Sequence, residues 1–278
     1  MSTTNQTLTQ AEAQRAMLGI AITQTAYALN NGGGIVTGQP LTYIDDQTTG
    51  GRAGYTPLNL SIPNGFIVQK IYNDTSAPSE NTGANMFMAY NPMTKEVLLG
   101  MAGTNGVGHD MPDTRSDLSY VGADQARYLA TKTTLGTDIA ALVSSPDELR
   151  NLRFIVGGDS LSAVPAILVP TMLVNGLGAS NEGKITGLSA SQFSITNVVP
   201  LGANLAAKYL GLTSKMNDFA APVGAEIFNF TTKNDQTSYD LVTGIGGGSP
   251  GRYFEAIANG DIFSSVGSKH QMNYAFSS

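Results

Sequence analysis

Apolar and polar positions along the chain alternate between two periods, and the changes of period mark out its elements. Near the start, Met17, Leu18, Ile20, Ile22, Tyr27 and Leu29 recur among alanines through a helical window. Thr9-Gln10-Ala11-Glu12 in front of it has the form of a capping box, with Leu8 as staple residue, and Asn30-Asn31-Gly32-Gly33-Gly34 stops it. A first helix covering a sheet is the expected structure. Residues 35–63, rich in Thr, Gly and Pro, read as irregular. Phe66-Ile67-Val68-Gln69-Lys70-Ile71-Tyr72 reads as a strand. Met86-Phe87-Met88-Ala89-Tyr90 and Val97-Leu98-Leu99-Gly100-Met101-Ala102 read as a hairpin turning on Asn91-Pro92-Met93-Thr94.

Beyond Gly103-Thr104-Asn105-Gly106, residues 105–116 read as a surface loop containing His109. A broken helical pattern then runs through Val121, Ala126, Leu129, Leu135, Ile139 and Leu142, with a short turn at Pro146-Asp147-Glu148. The segment Phe154-Ile155-Val156-Gly157-Gly158-Asp159-Ser160-Leu161-Ser162-Ala163 is an apolar strand that ends in two glycines and leads into small and apolar residues. The helix expected after it contains Pro165 and Pro170, which predict that it is short, kinked or interrupted. Residues 175–194 read as a flexible Gly/Ser/Asn-rich excursion. Ile195 to Gly202 reads as a strand and turn, and a small helix runs through Tyr209-Leu210. Glu226-Ile227-Phe228-Asn229-Phe230 is a late strand before Thr231-Thr232-Lys233-Asn234-Asp235, and the tail reads as loop-rich. Strands alternating with helices predict an α/β class with a mostly parallel sheet. No internal repeat or linker divides the chain, so residues 1–278 are expected to form one domain.

The segment around Ser160 is where the pattern acquires chemistry. A strand, a serine in a tight turn and a following helix make a nucleophile elbow, usually written G-x-S-x-G. Here it reads Gly158-Asp159-Ser160-Leu161-Ser162. A serine hydroxyl is a weak nucleophile and needs a base oriented by an acid. The chain has two histidines, and only His270 follows Ser160, as the order Ser, Asp, His requires. Asp235, just after the late strand, is the leading acid. Asp240 and Asp261 compete with it, and Asp218 follows a helix-like segment. The oxyanion needs two donors: the backbone N–H of Leu161 and one from the Gly103-Thr104 turn. Met93, Met101 and Met111 are assigned no role beyond packing.

Composition narrows the classes. With 278 residues and a formal charge of −6, the chain offers no basic concentration suited to nucleic acid. It has no cysteine, which excludes disulfides and thiolate metal sites. Its neutral polar surface residues point to an extracellular or surface setting. No stretch is long and apolar enough for a transmembrane segment. The opening Met1-Ser2-Thr3-Thr4-Asn5-Gln6 lacks the pattern of a Sec-type signal peptide. The expectations are therefore export by another route, a mature form numbered from its own start, or a cytoplasmic protein. The acidic balance predicts that any lipid contact rests on apolar surface rather than on attraction to anionic headgroups.

Several of these segments together resemble the class 3, fungal-type lipases. Val97 to Thr104 is similar to that family's strand and "RGT/RGS" loop, and Phe154 to Ala163 to its "TGHSLGG" elbow. Ile227 to Asp235 is similar to its late strand with an N-D acid loop, and His270 with Tyr274 to its terminal "H..Y" segment. Val198 to Gly202 is a weaker match. The resemblance spans about residues 86–275. It implies an α/β-hydrolase fold with a lid, here residues 105–117, and hydrolysis of carboxylic esters of lipids at a lipid–water interface. It implies Ser160 as nucleophile, Asp235 as acid, His270 as base, and Thr104 and Leu161 as oxyanion donors. It implies no metal or cofactor and fixes no oligomeric state. Three positions depart from the family's pattern: Ala102 stands for an arginine, Asp159 for a histidine and Ser162 for a glycine. These departures motivate a non-catalytic binding protein on the same fold as the alternative, alongside a short-chain esterase. The pentapeptide also spells the GDSL hydrolase signature. That family places it after the first strand and adds a D-x-x-H pair, whereas Gly267 stands three residues before His270.

Overall fold

The computed structural model describes residues 8–30, 33–44, 60–76, 81–103, 122–198, 203–232 and 250–256. The strands it describes form one seven-stranded sheet in sequence order: β1 (Ile67–Asn73), β2 (Asn85–Asn91), β3 (Glu96–Met101), β4 (Arg153–Asp159), β5 (Phe193–Val198), β6 (Glu226–Thr232) and β7 (Arg252–Ala256). β1, β2 and β3 pair antiparallel, and from β3 to β7 every pair is parallel. The β2–β3 hairpin turns where turn chemistry predicts. The Asn91 side-chain carbonyl accepts the N–H groups of Met93 and Thr94, and Lys95 takes a left-handed φ of 60°. β7 lies in the tail that reads as loop-rich. Its Tyr-Phe pair is too short a signal, and the strand forms because β6 offers an open parallel edge.

One face of the sheet is covered by α1 (Gln10–Asn30), which lies across β3, β4 and β5. Its start is the capping box: the Thr9 N–H donates to the Glu12 carboxylate at 2.7 Å and the Glu12 N–H to the Thr9 hydroxyl at 3.3 Å. The helix approaches the strands closely because of two glycines in register, Gly100 on β3 and Gly157 on β4. A Cβ on Gly157 would lie 2.4 Å from the Gly19 carbonyl of α1, and one on Gly100 would lie 2.8 Å from the Ile22 carbonyl. Ile20, Ile22, Phe87, Leu98, Ile155 and Phe228 make the core of this face. Two ion pairs fix the first half of α1 to the far strands: Arg15 with Glu226 and Glu12 with Arg252.

The opposite face carries α2 (Ala123–Thr131), α3 (Leu135–Ala140), α4 (Ala163–Asn175), α5 (Ala203–Tyr209) and α6 (Thr213–Phe219). Phe154 and Phe193 stack at 4.5 Å on this side, with Phe219 against them. α4 sits at the centre, and every residue from Ala163 to Leu173 is buried. It runs without a break from Ala163 to Asn175, so of the effects expected from its prolines interruption does not occur. Pro165 lies in the first turn, where backbone N–H groups have no intrahelical partner. Pro170 is inside the helix, and packing on all sides holds the segment helical despite the missing donor. Residues 175–194 likewise differ from a free excursion. The Ile185 N–H donates to the Leu173 carbonyl, Leu177 bridges Glu182, and Ser189 with Gln192 caps a short 3-10 turn (Ala190–Gln192). Ile185 and Leu188 are the apolar anchors that draw this polar segment onto the core.

Candidate active site

The parallel strands bring their C-terminal ends to one edge of the sheet, the side on which α/β proteins assemble binding sites. β4 ends there at Asp159, a 3-10 turn takes Ser160–Ser162, and α4 starts at Ala163. This strand–turn–helix is the elbow that the pattern of small residues predicts. Gly158 is glycine because the helix comes straight back over it: a Cβ there would stand 2.4 Å from the Ser162 carbonyl and 2.8 Å from the Ala166 Cβ. Leu161, expected to offer its backbone N–H, is fully buried in the turn.

The neighbouring strand β3 delivers the other candidate donor segment. Gly103, its last described residue, abuts the elbow: a Cβ there would lie 2.5 Å from the Asp159 carbonyl and 2.6 Å from the Tyr27 hydroxyl. Thr104 is the next residue and lies outside the described residues. So do Asp235, Asp240, Asp261, His270, Tyr274 and the expected lid at 105–117. The backbone turn at Ser160 and Leu161 and the approach of Gly103 are therefore the described part of the site. Asp218, the least favoured acid, falls in α6.

The three departures from the lipase pattern are physically connected. Ser162 turns its hydroxyl inward and is buried. Its Oγ accepts the Asp159 N–H at 2.8 Å and has two carbonyls within donating distance, Met101 at 3.0 Å and Asp159 at 2.9 Å. A hydroxyl here links the elbow to the end of β3, which a glycine could not do. Asp159 is buried at 2% exposure, and its Oδ2 accepts a 2.6 Å hydrogen bond from the Tyr27 hydroxyl of α1. Extending the register of Gly100 opposite Gly157 by two residues brings Ala102 opposite Asp159 on the α1 face. Ala102 is itself buried in the α1-side core. Sequence reasoning treats Tyr27 as one apolar position of a packing helix. Its hydroxyl at the last turns of α1, facing the sheet edge that bears the elbow, is what the pattern leaves unread.

This is the α/β-hydrolase fold in the arrangement of the fungal lipases. Among solved structures, the chain is similar to a triacylglycerol lipase in which a serine protease triad forms the catalytic centre, with 14% identity over 92% of this chain and 83% of the other and a TM-score of 0.54. It is also similar to the Rhizomucor miehei lipase in its propeptide complex (11% identity, 90% and 70% covered, TM-score 0.53). The lipase of Rhizopus microsporus var. chinensis gives 17% identity, 92% and 77% covered, and a TM-score of 0.52. At these identities the likeness is one of fold. No family sequence model and no curated protein matches the chain.

Proposed function

We propose that this protein is a serine hydrolase that cleaves carboxylic ester bonds of lipids, as a triacylglycerol lipase or phospholipase A1, within a single α/β-hydrolase domain. The observation that carries the reading is the elbow: a serine in the tight turn between β4 and α4, at the carboxyl edge of the parallel strands, with Gly103, just past the end of β3, packed against it. In this reading His270 takes the Ser160 proton as the hydroxyl attacks the ester carbonyl, and Asp235 orients the imidazole and stabilises its charge. The N–H groups of Leu161 and Thr104 hold the tetrahedral oxyanion. Collapse expels the alcohol, which takes its proton from His270, and a water activated by the same histidine releases the acid. The chemistry needs no cofactor.

The fold likeness to lipases supports a lipid substrate over a generic ester, and residues 105–117 are the segment to cover the acyl groove. Among the described residues, no helix is long and apolar enough to cross a membrane. An extracellular site of action belongs to the same reading and rests on the neutral polar composition. The test is a fluorophosphonate probe with the adduct mapped by mass spectrometry, run beside a series of esters of increasing chain length. Labelling at Ser160 is expected, and Ser160→Ala is expected to lower turnover by at least about 10⁴-fold. A long-chain optimum supports the lipase, and a short-chain optimum the esterase. A folded protein with neither labelling nor turnover leaves the fold as a non-catalytic binding scaffold.

A further inference from the structure

We propose that Tyr27 and Asp159 form a positioning pair that seats the oxyanion segment, a role that rests on the serine hydrolase reading above. The pair spans three elements. Tyr27 comes from α1, Asp159 closes β4 immediately before the nucleophile, and Gly103 lies two residues past the end of β3, immediately before the expected donor Thr104. The Asp159 side chain accepts a short hydrogen bond from the Tyr27 hydroxyl, at 2.6 Å. That bond fixes the phenol oxygen where it limits the path of Gly103, with 2.6 Å to the position a Cβ would take. The Asp159 carbonyl crowds the same position, at 2.5 Å.

The side-chain position of Gly103 is thus occupied by two oxygens that both depend on Asp159, one directly and one through Tyr27. Two residues upstream, the Met101 carbonyl faces the Ser162 hydroxyl of the elbow. The chain leaving β3 is therefore bonded to the nucleophile turn at Met101 and closely packed against it at Gly103, before it reaches residue 104. The small Ala102 side chain, buried in the α1-side core, is compatible with a tyrosine standing on this face. Where the lipase pattern has an arginine before the Gly-Thr and a histidine before the serine, this chain has Ala102 and Asp159, and α1 supplies Asp159 with the Tyr27 hydroxyl as donor. Neither Tyr27 nor Asp159 is required to touch substrate. They set where the donor segment begins relative to Ser160.

The experiment compares full-length wild type with Tyr27→Phe, Asp159→Asn and Asp159→Ala on a short soluble ester. It measures kcat, KM and the inhibition constant of a trifluoromethyl ketone, which forms a tetrahedral adduct with the serine. Tyr27→Phe keeps the ring and removes only the fixing bond. It is expected to lower kcat on the order of 30- to 100-fold with KM within about 2-fold, and to weaken the ketone by the same factor as kcat. Asp159→Ala should match it. Asp159→Asn, which keeps an acceptor for the phenol, should recover most of the loss. Unchanged kcat in Tyr27→Phe overturns the proposal. A fall in kcat without the parallel loss of ketone affinity also overturns it, because a general loosening of the fold would not follow tetrahedral binding. A wild type inert to ester and ketone alike instead overturns the hydrolase reading beneath it.

Discussion

The two faces of the sheet solve the same packing problem by different means. On the α4 face the cover is apolar almost throughout. α4 is buried from Ala163 to Leu173, and aromatic rings from β4, β5 and α6 pack together on the same face. On the α1 face a single helix bears Thr23, Gln24 and Thr25 fully buried and approaches the strands closely at the glycines of β3 and β4. Among the described residues, the ion pairs that join distant elements both anchor α1. Hydrophobic burial is strong but undirected, so the α4 face supplies stability and tolerates exchange of shapes. Hydrogen bonds, ion pairs and steric contact against glycine are directional. The α1 face therefore fixes position, and it is this face that brings Tyr27 to the elbow.

The largest effect that tests this contrast is expected from Phe154→Ala. Removing a fully buried ring from the α4 face should cost about 3–5 kcal/mol in denaturant unfolding, while kcat of the remaining folded protein stays near wild type. Gly157→Ala should cost about 1–3 kcal/mol, since the added methyl meets α1 backbone that must shift. It should also lower kcat, because α1 moves and carries Tyr27 with it. If both variants lose stability and neither loses kcat, the two faces do not differ in the way described.

Ser162→Ala is expected to cost about 1–3 kcal/mol, because the buried Asp159 N–H loses its acceptor. Its effect on kcat should lie between those of the first two variants. The smallest effect concerns the start of α1. The Thr9 backbone N–H and the Arg252 guanidinium pull the Glu12 carboxyl down from 4.5 to about 2. A carboxyl lowered in the folded state stabilises the fold above the ordinary value and ceases to do so as the pH falls from about 4.5 through about 2. Glu12→Gln should therefore be less stable than wild type at pH 7, by no more than about 1 kcal/mol for so partly exposed a pair. The difference should close as the pH approaches 2, which melting curves at pH 7, 4 and 2 would read directly.

Much of the scaffold is legible in the residues themselves. The capping box at Thr9 and Glu12, the β2–β3 turn at Asn91 and the elbow at Gly158 are local: their chemistry is satisfied within a few residues, so short motifs specify them. The strands β3, β4, β5 and β6 show as apolar runs because both faces of the sheet are covered. The continuity of α4 is not legible, since Pro170 argues against it locally and only burial on all sides overrides that argument. β7 is equally hidden, as its pairing partner lies on another strand.

By itself, then, the sequence determined most of the elements, their mostly parallel order and the serine on which the functional reading turns. Those depend on periodicity and on contacts between near neighbours. What only the tertiary structure decided is which distant groups meet at that serine. Tyr27 and Asp159 are 132 residues apart, and Ser162 and Met101 are 61 apart. No spacing rule connects them, because they are brought together by the packing of α1 across β3 and β4 and by the parallel register of Gly100 with Gly157. The glycines that permit this approach look in sequence like ordinary strand interruptions. They acquire their meaning when a helix backbone comes to rest where their side chains would have been.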